Sequence, residues 1–189
     1  MPRRPERGRA RSAAERGRRT AAAAPRIGLG ADLHPLAPGR RLVLAGVEIP
    51  YARGLAGHSD ADVLAHAVCD ALLGALGRGE MGARFPASDD RHRGRASLEF
   101  VREVMDDVRG DGFEVGNLDA VLFAEAPRLQ PHLAAMRDGL AACLGCDAAR
   151  VSIKAKRPEG LGALGRGEGL AAQAVVLLLP ARRSARSLR

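Results

Sequence analysis

Tryptophan is absent from the 189 residues, tyrosine occurs once and phenylalanine four times. With so few aromatic rings, a core has to be assembled from Ala, Val, Leu and Ile, and such small side chains let backbones approach closely. No apolar run approaches the roughly 18 residues that a helix needs to cross a bilayer, so a membrane span of that kind is excluded. Three cysteines, Cys69, Cys143 and Cys146, are too few for a disulfide scaffold and fit free thiols in a reducing, cytoplasmic setting. Cys143 and Cys146 have CxxC spacing. With no second pair and no adjacent His, they read better as small side chains at a helix end.

Positive charge is plentiful, yet the body of the chain lacks it. The formal net charge is +8, of which residues 1–25 carry +6 and residues 181–189 carry +4, leaving about −2 between them. A nucleic-acid surface needs its basic residues on the folded domain, so no nucleic-acid partner is expected. The two basic ends lack apolar periodicity and are expected to be disordered tails around one domain, 26–180. Organelle targeting by the first tail is less favoured, because it holds one Ser and two Glu.

Periodicity organises the rest. RIGLGADL (26–33) reads as a strand, and RLVLAGVEI (41–49) as a hairpin turning at Ala45-Gly46. From Ser59 onward, apolar residues recur at three- and four-residue steps to Ala75, which predicts a helix capped by Ser59 or Asp60 and stopped by Gly77. Residues 77–95 form a long loop, 96–108 a second helix, 113–124 a strand, and 131–144 a third helix with Pro131 at its start. Strands at 151–156 and 170–179 flank a glycine-rich connection, 157–169. The order predicts an α+β fold, a mixed β-sheet with helices packed on one face.

Asp32-x-His34 is the sharpest chemical feature. Residues i and i+2 of a strand share a face, so this carboxylate and imidazole can converge on one ion, and zinc accepts both donor types. Taken alone, such a pair is more often an ordinary surface pair. His66 stands in a small, apolar helical stretch and needs a partner; a metal, Asp62 or Asp70 would each serve. His58-Ser59, ahead of the predicted helix, suits an anion, because first-turn N–H groups face outward there. The run GALGRGEG (162–169) lacks the Lys-Ser/Thr of a P-loop and supports no such claim.

In combination, RIGLGADLHP (26–35), VEIPYARGLAGHSDADVLAHAVCDALLGALG (47–77), EMGARFPASDD (80–90), GNLDAVLFAEAPRLQPHLAAM (116–136), VSIKA (151–155) and GRGEGLAAQAVVLL (165–178) resemble the 2-C-methyl-D-erythritol 2,4-cyclodiphosphate synthase family. The resemblance implies a homotrimer with active sites between subunits. It also implies a lyase of the non-mevalonate isoprenoid pathway, cyclising 4-diphosphocytidyl-2-C-methyl-D-erythritol 2-phosphate with release of CMP. Asp32, His34 and His66 would hold Zn2+ or another divalent transition metal, and Glu159 a Mg2+ or Mn2+ ion with the diphosphate. His58 and Arg157 would be catalytic, with Ser59 on phosphate. The resemblance places Glu80, Met81 and Gly82, then Phe85, Pro86, Ala87, Ser88 and Asp89, in a loop over the methylerythritol. It assigns the cytidine turn to Ala124, Glu125, Ala126, Pro127, Arg128, Leu129 and Gln130, with Ala155, Lys156, Arg157 and Pro158 opposite. Ala163 and Arg166 would also meet substrate, Arg166 and Glu168 lying near the trimer axis. Lys156-Arg157-Pro158 departs from the family's Thr-rich run, Arg157 standing where a threonine hydroxyl is usual. That departure motivates a second reading, a trimeric homologue that binds a phosphorylated ligand without cyclising it.

Overall fold

The computed structural model describes residues 24–181; the expected tails, 1–25 and 181–189, lie outside these residues except at 24, 25 and 181. Strand β1 (Arg26–Pro38) is followed by the hairpin β2 (Leu42–Leu44) and β3 (Val47–Ile49), and by a short β4 (Arg53–Leu55). Helix α1 (Val63–Leu76), a single turn α2 (Met81–Arg84) and helix α3 (Ser97–Gly110) come next. Then follow β5 (Phe113–Phe123), α4 (Leu133–Leu144), β6 (Val151–Lys156), a single turn α5 (Gly162–Gly165) and β7 (Gly169–Pro180). Five strands form one sheet in the order β4-β1-β7-β5-β6, antiparallel except for the parallel pair β5–β6. No helix among the described residues is long and apolar enough to cross a membrane.

Helix α1 lies against β1 and β7, and it can do so closely because Gly28 and Gly30 face it. A Cβ on Gly28 would sit 1.8 Å from the Ala71 carbonyl oxygen, and one on Gly30 would sit 2.0 Å from that of Ala67. Val68, Cys69, Ala71 and Leu72 of α1 pack with Leu118, Leu122, Ala174 and Val176 of the sheet into one core. The opposite face of the sheet is uncovered, and along β1 it is apolar. Ile27, Leu29 and Leu33, at alternate positions of β1, are 72%, 65% and 62% exposed.

Several boundaries differ from the sequence expectation. β1 continues to Pro38 rather than ending at Leu33, because its pairing runs on through Pro35↔Gly169 and then passes to β4 at Leu36↔Leu55. Asp32 and His34 are therefore held by a sheet ladder, not by a loop. The N-cap of α1 is Asp62, not Ser59 or Asp60. Its buried carboxylate accepts from Ala65 N (3.0 Å) and, across to the β2–β3 turn, from Gly46 N (2.9 Å). The long loop 77–95 contains α2 and a 3-10 turn, Asp90–His92, and the connection 157–169 contains α5.

Candidate functional site

Asp32 and His34 project from one face of β1, and His66 from the end of the first turn of α1. Asp32 Oδ2, His34 Nε2 and His66 Nδ1 form a triangle with edges of 2.9, 2.9 and 3.1 Å. A tetrahedral zinc ion with donors at roughly 2.0–2.1 Å spaces neighbouring donors roughly 3.3–3.4 Å apart, so the triangle is of metal-binding size. It is the group of metal-ligand type found among the described residues.

The outward nitrogens decide what the inward ones offer. His34 Nδ1–H donates to the Ala56 carbonyl at 3.0 Å, and His66 Nε2–H donates to Ser97 Oγ at 2.8 Å. Ser97 Oγ–H in turn donates to the Asp60 carboxylate, which also accepts from Ser97 N at 3.0 Å. Both imidazoles are thereby set with a lone pair facing Asp32. Three acceptors this close call for a cation between them. Burial pushes the Asp32 carboxyl up, but the two imidazoles more than offset it and hold the group well below the usual carboxylate range. Asp32 in turn raises His34. In the absence of a metal the cluster draws in protons, and a bound metal would release them. The residues present fit a zinc-like ion.

The triangle sits at one end of a cavity of about 410 Å³ that is also lined by His58, Ser59, Asp70, Glu80, Met81, Gly82, Phe85, Ala87, His92 and Phe100. Loop 80–92 forms its wall, tied down where Met81 N donates to Asp70 (2.7 Å) and where His58 Nε2 donates to the Asp89 carbonyl (3.2 Å). Pro86 and Asp89 lie in an outer cavity beside Arg91 instead, and Ser88 lines neither. The open helix N-terminus expected beside His58-Ser59 is not there. Asp62 caps it, and Ser59 Oγ is turned inward to Ala61 N, Ser97 and His66.

A second cavity, of about 740 Å³, lies between Ala124–Gln130 and Ala155–Arg157, lined by Ala124, Glu125, Pro127, Arg128, Leu129, Gln130, Ala155, Lys156 and Arg157. Ala126, joined to Pro127 by a cis peptide, and Pro158 stand outside its lining. Glu159, exposed at φ 53°, is apart from the metal triangle. Ala163 lines a third cavity, on the bare sheet face beside Asp32, Leu33 and Phe123. Arg166 is exposed and paired with Glu168 at 2.6 Å.

Sequence reasoning missed Asp60, Ser97 and His92. His92 packs edge-on to Phe85 and Phe100 in the first cavity. Ser97 opens α3 and reads in sequence as a helix-start residue, and nothing local marks it as facing a helix 31 residues away.

These features define an α+β domain whose Asp/His/His group could hold a metal ion beside a cavity of about 410 Å³. The YgbB family model matches residues 25–179, and the chain belongs to that family. The 2-C-methyl-D-erythritol 2,4-cyclodiphosphate synthase of Moorella thermoacetica is 55% identical over 154 residues, covering 82% of this chain and 94% of the relative. That of Geotalea uraniireducens is 51% identical over 153 residues, covering 81% and 98%. A solved 2C-methyl-D-erythritol-2,4-cyclodiphosphate synthase in its CDP-bound form superposes with a TM-score of 0.75 at 41% identity, covering 81% of this chain and 99% of that one. A Plasmodium falciparum CDP complex gives 0.74 at 28% identity, covering 84% and 97%.

Proposed function

We propose that this chain converts 4-diphosphocytidyl-2-C-methyl-D-erythritol 2-phosphate into 2-C-methyl-D-erythritol 2,4-cyclodiphosphate and CMP. The observation that carries the reading is the triangle of Asp32, His34 and His66 at the end of a cavity walled by loop 80–92. It stands in a chain 55% identical to a protein of that name over nearly its full length. In the reaction an oxygen of the 2-phosphate attacks the β-phosphorus, the bond from that phosphorus to the α-phosphate oxygen breaks, and CMP leaves with the electron pair. A phosphate is already ionised at neutral pH, so no strong base is needed. Catalysis is positioning and charge neutralisation.

Zinc at the triangle would supply Lewis acidity and orient a phosphate oxygen. Glu159 would hold a Mg2+ or Mn2+ ion with the diphosphate. His58, which lines the cavity, would turn its Nε2–H from the Asp89 carbonyl to a phosphate oxygen. Glu80, Met81, Gly82, Phe85 and Ala87 would close over the methylerythritol, and the turn from Ala124 to Gln130 would take cytosine.

Sheet register supports this division. Asp32 pairs with Ala172, Ala172 with Leu122, and Leu122 with Ala155. Three strand spacings, about 14 Å, therefore separate the metal end from the nucleotide end of one chain. We infer, as the family resemblance implies, a homotrimer acting in the cytoplasm, in which the uncovered sheet face packs copies together and each active site takes its two halves from neighbouring copies.

The test is release of CMP. Purified protein with zinc and magnesium is expected to give equal amounts of CMP and cyclodiphosphate from the diphosphocytidyl substrate, followed by phosphorus NMR, and His34→Ala is expected to give neither. A metal-loaded protein that binds CDP but releases no CMP would be a binding homologue, and the proposal would fall.

A further inference from the structure

The mouth of the 740 Å³ cavity is electrostatically lopsided. Its lining holds three cations, Arg128, Lys156 and Arg157, against one carboxylate, Glu125. Among the described residues Arg128 and Lys156 make no ion pair, whereas Glu125 is engaged twice. Its Oε1 accepts from Arg157 Nε at 3.2 Å and from Arg157 Nη2, and its Oε2 accepts from Gly160 N at 3.3 Å. The partners come from opposite walls. Glu125 lies just beyond the end of β5 and Arg157 just beyond the end of β6, strands that run parallel and end level at Phe123↔Lys156. One carboxylate thus spans the cavity mouth, holding both the guanidinium and the turn that carries Glu159.

We propose that Glu125 is an electrostatic gate for the nucleotide's diphosphate: in the free protein it holds Arg157, and phosphate oxygens take the guanidinium from it on binding. The inference rests on the function proposed above. Arg157 is exposed, and a solvent-facing ion pair of this kind is screened and easily broken. A guanidinium meets phosphate through two parallel N–H donors and a larger charge, so the exchange favours the ligand. Only a ligand that brings phosphate oxygens has to break this pair, so Glu125 weakens phosphorylated ligands and leaves the nucleoside unaffected. Glu125 is a specificity residue acting through Arg157.

Calorimetric titration of the full chain with CDP and with cytidine, magnesium present, separates the possibilities. Glu125→Gln is expected to tighten CDP binding about two- to fivefold, the effect of no longer having to break an exposed ion pair. Cytidine binding should not move, and the gain should shrink at high salt. Arg157→Thr should weaken CDP, spare cytidine, and abolish the gain when combined with Glu125→Gln. If Glu125→Gln weakens both ligands alike, Glu125 only builds the pocket wall and the gate is refuted. A gain that persists in the Arg157→Thr background refutes it equally. If the unmodified protein binds neither CDP nor cytidine, the proposed function itself fails, and the gate with it. Arg157→Thr alone carries the test if Glu125→Gln does not fold, since an unchanged CDP affinity would overturn the exchange.

Discussion

Ser97 has no charge and touches no cavity, yet it decides which nitrogen of His66 faces Asp32. Its hydroxyl accepts from His66 Nε2 at 2.8 Å and passes its own proton to Asp60, so His66 Nδ1 is left as a lone pair. Such outer partners of a metal ligand are worth roughly 10–100-fold in metal affinity. Ser97→Ala is therefore expected to weaken zinc binding by about that factor, measured by competition with a chromophoric chelator. Ser97→Thr, which keeps the hydroxyl, should restore most of it. The thermal unfolding of the zinc-free protein should shift little, because the backbone bond from Ser97 N to Asp60 survives the change. An unchanged zinc affinity would reduce Ser97 to a packing residue. Asp62 shows the other side of buried polarity. Burial pushes its carboxyl up to about 6 against the pull of backbone N–H groups from Ala65, Ala45 and Gly46. It stays buried because it joins the β2–β3 turn to the start of α1, four residues before His66.

At the scale of elements, the metal triangle exists because β1 and α1 lie unusually close, and glycine makes that approach possible. The nearest neighbours of a Cβ on Gly30 would be the Ala67 carbonyl oxygen at 2.0 Å and Ala71 N at 2.5 Å. Both are backbone atoms that no rotamer change can move. Gly30→Ala must push β1 away from α1, and overpacking of this kind costs about 1–3 kcal/mol or more. Urea unfolding should show that loss, and zinc affinity should fall as His66 recedes from Asp32. Gly110→Ala, where a Cβ meets nothing within 4 Å, serves as the control and should change neither. If Gly30→Ala unfolds like its parent, the close approach is not what sets the site.

The same elements explain what the sequence made legible. Period-two spacing places Asp32 and His34 on one face, the family resemblance adds His66, and β6 is predicted at its observed bounds, Val151–Lys156. β4 leaves no trace in sequence, because Arg53-Gly54-Leu55 is too short to show alternation and is a strand only through its pairing with β1. Sequence points to Ser59 or Asp60 as the cap of α1; the cap is Asp62, whose second bond, to the distant Gly46 N–H, has no local signature. Sequence flags Arg157 as unusual. That it meets Glu125 follows from the parallel pairing of β5 and β6, a contact 32 residues apart.

The whole molecule poses a final question, because the cavity at the triangle and the cavity at Arg157 share no lining residue and one sheet face is left uncovered. An exposed apolar face of this kind marks a contact surface. If the face packs copies head to tail in a closed ring, the triangle of one chain can meet the nucleotide cavity of its neighbour. Leu29→Lys should then yield monomers by analytical ultracentrifugation, lose CMP release, and keep its zinc affinity, because Asp32, His34 and His66 belong to one chain. Complementation tests the arrangement itself. His34→Ala and Glu159→Ala are each expected to be inactive alone, one lacking the metal end and the other the diphosphate end. Dissociated and reassembled together in equal amounts, they should regain about a quarter of the parental activity, the share of boundaries that pair an intact triangle with an intact Glu159 in a closed ring. A site built wholly within one chain regains nothing, since every chain in the mixture carries one lesion. Restored activity would place the chemistry between copies; its absence, with both variants shown to co-assemble, would place it within one.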